Sequence, residues 1–264
     1  MGDPELCRAA SDLLWEHWQQ GRRLDALPPE LRPADRAAGY EIQACLEDRS
    51  ARKLFGWKIA ATSAAGQRHI GVDGPLAGRL LAERVHADGA TLPFGANAMR
   101  VVEAEFAFRM GRDLAPREAP YVTREVMDAV ADLHLAIEIP DSRFVDFATA
   151  GAPQLIADNA CAHDFVLGPA AARQWRTIDL ANHQVLGTIA GKLERQGIGS
   201  NVLGDPRRAL TWLANELSGI GITLRAGEVV TTGTCVIPMP VAPGDHVSAD
   251  YGVLGRMAMR FAMP

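Results

Sequence analysis

The sequence is short of everything that would tie it to nucleic acid, a membrane or a disulfide framework. Its 27 lysines and arginines are outnumbered by 32 aspartates and glutamates, a formal charge of −5, so the basic excess of a nucleic-acid binder is missing. No stretch approaches the ~18 uninterrupted apolar residues of a membrane span. The four cysteines, Cys7, Cys45, Cys161 and Cys235, are scattered without a Cys-x-x-Cys pair, which fits a reducing compartment. The opening MGDPELCRAASDLLWEHWQQ has acids where a signal peptide needs a basic start and an apolar run. A soluble cytoplasmic protein is expected.

Several chemical motifs are missing too. Gly187 to Lys192 imitates a phosphate loop but is one residue short and lacks the hydroxyl after the lysine. Gly197, Gly199 and Gly204 have the wrong spacing for a dinucleotide fingerprint. There is no Gly-x-Ser-x-Gly elbow and no His-Glu-x-x-His pair, which argues against a serine hydrolase and a histidine-rich zinc site.

What is present is an ordinary globular composition, 48% apolar and 22% charged. The apolar spacing of Leu6, Ala9, Ala10, Leu13, Leu14 and Trp18 predicts an amphipathic helix over 4–20, ended by Gly21. A second helix is expected over 33–52, with Pro33 in its first turn. These form a helical N-terminal region, 1–52. From Lys53 to the end, 53–264, short β-prone runs alternate with Gly and Pro, interrupted by helices predicted from Thr123 to about His134 and from Asp205 to Leu217. Without a regular βαβ rhythm, the fold class expected is α+β.

Three carboxylates and a lysine carry the chemical signal. In Val101 to Phe108, Glu103 and Glu105 share one strand face, while Val102, Ala104, Phe106 and Phe108 share the other. A merely wet face would explain this. Two glutamates on one face nevertheless repel unless neutralised, and hard oxygen donors suit magnesium or manganese better than zinc. Glu138 is a third carboxylate, inside the apolar strand Leu135 to Ile139, and a charge there needs a partner. Lys58 lies among apolar neighbours in Gly56-Trp57-Lys58-Ile59. It is either a snorkelling surface lysine or a buried proton carrier.

These pieces occur together in a known family. The ordered set Gly56-Trp57-Lys58, Gly71-Val72-Asp73-Gly74-Pro75, Glu103-Ala104-Glu105, Glu138 through Ser142-Arg143, Ala157-Asp158-Asn159-Ala160, Val202-Leu203-Gly204-Asp205-Pro206 and Thr232-Gly233-Thr234 resembles the 2-keto-4-pentenoate hydratases and 4-oxalocrotonate decarboxylases. These are a branch of the fumarylacetoacetate-hydrolase superfamily. The resemblance implies a mixed β-roll core, a Mg2+- or Mn2+-dependent activity on a small 2-oxo or enol acid, and a homo-oligomer. By match to the family's motifs it makes Glu103, Glu105 and Glu138 the metal ligands and Lys58 a proton-transfer residue, with Glu83 as its acidic partner where the family has aspartate. Thr234, Asn159 and Arg143 are the implied substrate-binding residues.

The reaction expected is hydration of 2-hydroxypenta-2,4-dienoate. A decarboxylase would add recognition of a second carboxylate, for which Arg143 and Arg68 are candidates. A carbon–carbon hydrolase would need a water-activating base, with His17 and His69 as candidates. A non-catalytic metal-binding protein is the reading from a different class. The Gly-rich stretch Ser63 to Pro75 is the segment expected to cover the site.

Overall fold

A computed structural model describes residues 3–263. The chain runs α1 (Pro4–Gln20), α2 (Arg36–Ala44), β1 (Gly56–Ala60), α3 (Ala64–His69), β2 (Leu76–Leu80), β3 (Val85–Ala87), β4 (Thr91–Leu92), β5 (Val101–Met110), α4 (Thr123–Asp128) and β6 (Val130–Ile139). It continues through α5 (Ala152–Ala157), β7 (Asp164–Ala170), β8 (Gln184–Ile189), β9 (Leu193–Ile198), α6 (Pro206–Gly219), β10 (Val229–Thr234), β11 (Met239–Pro240), β12 (His246–Asp250) and β13 (Arg256–Phe261).

Two mixed sheets carry the fold. The larger follows the order β2-β1-β10-β5-β6-β7-β3, with β11 extending the pairing of β5. The smaller follows β4-β13-β12-β8-β9. Phe106, Phe108, Leu135 and Ile137 of the first sheet and Val185, Ile189, Val247 and Met259 of the second share one buried core. Tyr251 ties the sheets together: its hydroxyl donates to the carbonyls of Glu105 (2.8 Å) and Ala136 (3.0 Å). Helix α6 buries Ala209, Leu210, Leu213 and Leu217 in the same core, the i, i+4 stripe of an amphipathic helix.

Helix α1 begins as its sequence requires. Asp3 accepts a hydrogen bond from the Glu5 amide, Pro4 opens the first turn, and Gly21 ends it in the left-handed conformation. Its Ala10 and Leu14 pack with Leu27, Ile42, Phe144 and Ala157 in a second cluster. Among the described residues no helix is long and apolar enough to cross a membrane.

Two helix boundaries differ from expectation. The second helix spans only Arg36–Ala44. Asp35 caps it by accepting from the Ala38 amide (2.9 Å), and a separate turn at Glu47–Arg49 lets Glu47 meet Arg79 at 2.7 Å. The helix after Thr123 stops at Asp128 instead of His134. Residues from Val130 onward pair with β5, as in Met110↔Val130 and Phe108↔Leu133, and sheet pairing overrides local helix propensity there.

Candidate metal centre and active-site cavity

The apolar face of β5 behaves as its alternation predicts: Val102, Ala104, Phe106, Phe108 and Met110 are all buried. The opposite face is only partly wet, with Val101, Glu103 and Arg109 half-buried. Glu105 and Ala107 are fully buried as well, and so is Glu138 on the neighbouring strand. The antiparallel register sets Glu103 opposite Glu138 and Glu105 opposite Ala136. One carboxylate oxygen from each of Glu103, Glu105 and Glu138 lies within 4.8 Å of the others.

These oxygens are only partly satisfied by the protein. Glu105 Oε2 accepts from Thr231 Oγ1 and from the Gly233 amide at 2.8 Å. Its Oε1 and both oxygens of Glu138 are buried without a hydrogen-bond donor of good geometry among the described residues. Buried carboxylate oxygens left in this state are costly, and a hard divalent cation accepts such oxygens as ligands. Burial and the Glu138 charge push the Glu103 carboxyl up to about 7. Burial also raises Glu105 and Glu138. The donor set fits Mg2+ or Mn2+.

Lys58 lies on β1, beside these acids. It is 3% exposed, so the surface-lysine alternative is overturned. Its Nζ stands 3.0 Å from Glu138 Oε1 and donates to the Ala160 carbonyl at 3.0 Å. Burial opposes its charge, yet the carboxylates led by Glu138 and Glu103 outweigh it and hold the ammonium more firmly than in water. Its pair mate on β2 is Gly78, where a Cβ would come within 2.4 Å of the Asn159 carbonyl and 3.1 Å of the Lys58 stem. Only glycine leaves that passage open.

Gly233 has a comparable role. Its φ is +103°, and a Cβ there would meet Thr62 Oγ1 at 2.1 Å. The β10–β5 register slips between Thr231 and Thr234, and this bulge turns the Gly233 amide toward Glu105. A glycine inside Thr-Thr-Gly-Thr is the sequence signal for such a bulge; the parts played by Thr231, Gly233 and Gly78 were not read from it.

Lys58, Glu103 and Thr234 line a cavity of about 780 Å3. Thr234 sits on its wall with its hydroxyl hydrogen-bonded to the Val236 carbonyl. Ser63, Gly66, His69 and Ile70 line it too, so the Gly-rich segment does border the site. Its helix α3 is capped by Ser63 Oγ, which accepts from the Gly66 amide at 3.0 Å.

Three other candidates are directed elsewhere. Glu83 is exposed and accepts from Ser50 Oγ (2.8 Å) and the Ala51 amide (3.0 Å), fastening a surface loop. Lys58 is partnered by Glu138 instead. The Asn159 amide is spent on the Arg79 backbone, accepting from its N–H and donating to its carbonyl. Arg143 is buried, paired with Asp158 through Nε and stacked 4.6 Å from the Trp18 ring. Asp158 also accepts from Ser142 Oγ (2.7 Å) and the Arg143 amide (2.9 Å). Asn159, Ala160 and Cys161 all have positive φ, a strained run that aims the Ala160 carbonyl at Lys58. The Ser142-Arg143 and Asp158-Asn159 motifs thus build the wall behind the lysine. Of the histidine candidates, His69 lines the cavity whereas His17 does not; the His17 ring bonds to the Leu13 carbonyl on its own helix.

A family model described as the fumarylacetoacetate (FAA) hydrolase C-terminal domain matches residues 81–262. The chain belongs to the fumarylacetoacetate hydrolase family. It is 30% identical over 261 residues to a 2-keto-4-pentenoate hydratase of Paraburkholderia xenovorans, covering 98% of this chain and 96% of that one. It is 31% identical over 270 residues to a 2-hydroxyhexa-2,4-dienoate hydratase of Comamonas testosteroni, covering 99% of each. Among solved structures, 4-oxalocrotonate decarboxylase from Pseudomonas putida, complexed with magnesium and adipate, superposes with a TM-score of 0.88 at 26% identity over 99% of each chain. A 5-carboxymethyl-2-hydroxymuconate delta-isomerase from Mycobacterium smegmatis shares the fold at a TM-score of 0.57 and 18% identity, covering 80% of this chain and 81% of that one. The fumarylacetoacetate hydrolase fold thus accounts for the mixed sheets.

Proposed function

We propose that this chain is a divalent-metal-dependent hydratase that converts 2-hydroxypenta-2,4-dienoate, or a close homologue, to a 4-hydroxy-2-oxo acid in the catabolism of aromatic compounds. The observation that carries the reading is the cluster of Glu103, Glu105 and Glu138 beside Lys58, in which Glu105 and Glu138 keep buried oxygens that no hydrogen bond satisfies. Full-length similarity to named hydratases supports the choice of reaction. Glu103, Glu105 and Glu138 would hold Mg2+ or Mn2+, and the decarboxylase neighbour was solved with magnesium.

When bound, the cation supplies Lewis-acid stabilisation of the negative charge that develops on the substrate's 2-oxygen. Lys58, held as an ammonium, delivers a proton to C5 and takes up the 2-hydroxyl proton in exchange, leaving a C3–C4 double bond conjugated to the 2-oxo group. Water then adds at C4, and C3 takes a proton. Glu138 and Ala160 hold the Lys58 ammonium in place, and Thr234 meets the substrate carboxylate once its hydroxyl exchanges Val236 for the ligand. A homo-oligomer belongs to the same reading.

The deciding experiment follows the loss of dienol absorbance with metal-loaded protein and a chelator-treated control, with the product identified by mass. Metal-dependent formation of the water adduct is expected. Carbon dioxide release from the six-carbon dicarboxylate, with no action on the dienol, would transfer the chain to the decarboxylases.

A further inference from the structure

The cavity is much larger than a five-carbon acid requires. Such an acid has about eight heavy atoms; at no more than about 30 Å3 each, the share of a liquid water, they fill roughly 240 Å3. The cavity offers about 780 Å3. Exposure gives this space a direction. Lys58 and Ala160 are buried at its floor, while Ile237 is 69% exposed at its mouth.

The lining is mainly apolar, with Ile70, Phe147 and Val236 beside Ile237, and its uncharged polar side chains are Thr62, Ser63, Asn201 and Thr234. Among the described lining residues Lys58 is the only lysine and arginine is absent, and Lys58 is already held by Glu138 and Ala160. Arg143 is locked to Asp158, and Arg68 is exposed outside the lining. His69 is the one other basic group; its ring lies 5.9 Å from Phe147, edge-on. A single group open to solvent holds a carboxylate weakly.

We propose that the substrate carries a long apolar tail at its far end: a chain of at least four carbons beyond the dienol, with no second carboxylate. This rests on the hydratase reading for the reacting end and on the cavity wall alone for the tail. The tail would bury against Ile70, Phe147 and Val236, displacing water from apolar surface. A second carboxylate in the same place would lose its hydration without gaining a cation.

Calorimetric titration of the manganese-loaded protein with three saturated 2-oxo acids tests this without turnover. 2-Oxononanoate should bind at least about tenfold tighter than 2-oxopentanoate, because four further methylenes are buried. 2-Oxohexanedioate should bind no tighter than 2-oxopentanoate. Ile237→Arg, a change at an exposed position, should weaken the preference for 2-oxononanoate and favour 2-oxohexanedioate. Equal affinity for the two monocarboxylates, tightest binding of the dicarboxylate, or no binding of any of the three overturns the proposal. Turnover of 2-hydroxypenta-2,4-dienoate and of its tailed homologue 2-hydroxynona-2,4-dienoate on the same sample separates the two ideas. No turnover of either dienol with the binding order intact removes the hydratase and leaves the apolar chamber standing. Turnover with a flat binding order does the reverse.

Discussion

Glu103 and Glu138 stand directly opposite one another across the β5–β6 pair, where like charges are destabilising, with an oxygen of Glu105 within 4.8 Å of both. A fold that keeps this arrangement has its acids protonated, paired with a cation, or both. Lys58 answers one of the charges at 3.0 Å. The rest explains why proton and metal should compete for the same oxygens.

The metal-free protein should therefore lose stability as pH rises. Glu103 is pushed up to about 7 by burial and Glu138, above about 4.3 for an unfolded glutamate. The folded state binds the proton more tightly, so this stabilisation is complete below about pH 4.3 and is lost as pH passes through about 7. Each tenfold difference in proton affinity is worth about 1.4 kcal/mol. Melting with chelator should show a lower Tm at pH 7.5 than at pH 5.5. Saturating Mg2+ or Mn2+ should restore several degrees at pH 7.5 by mass action. Identical curves with and without metal at pH 7.5 would remove the metal centre.

Thr231→Val should weaken metal binding about 10- to 100-fold. The hydroxyl orients Glu105 through Oε2, and outer partners of ligands commonly contribute on that scale. The shape of the side chain is nearly kept. Calorimetric titration with Mn2+ reads the effect, and an unchanged Kd would show that the Gly233 amide suffices.

For Lys58→Met we expect kcat lower by about 10²- to 10⁴-fold, the usual contribution of a positioned proton carrier. The substitution also removes the counter-charge of Glu138. Breaking a buried pair costs about 3–5 kcal/mol, and bound metal should offset much of that. Thermal melts with and without metal, beside steady-state rates, separate the two effects. A variant that turns over like the parent rules out Lys58 as the proton carrier.

Arg143→Met tests a structural role against a substrate-binding one. Asp158 would be left buried without its guanidinium partner, at a cost on the order of 3–5 kcal/mol. The expected result is a strongly lowered Tm with KM little changed in the folded fraction. A raised KM at parental stability would return Arg143 to the substrate site.

Local sequence period made much of this protein legible. Alternation along Val101 to Met110 fixed which residues face the core and put Glu103 and Glu105 on the other side. Apolar spacing and Gly21 marked α1 and its end, and Asp205-Pro206 the start of α6. The ordered motifs from Gly56-Trp57-Lys58 to Thr232-Gly233-Thr234 were enough to reach the family. Less legible was the start of β6: Val130 to His134 continue the local helical pattern, and only their pairing with β5 makes them a strand.

Tertiary structure alone decided which charged groups meet. Lys58 and Glu138 are 80 positions apart, on strands separated in the sheet by β10 and β5, and no local period encodes that meeting. Glu83 is closer to Lys58 in sequence, yet its carboxylate fastens Ser50. Arg143 and Asn159 look like ligand-binding groups because they are polar and sit in motifs. Their partners, Asp158 and the Arg79 backbone, come from chain crossings that bury them. A sequence can say that a buried charge needs a partner; only the packed chain supplies it.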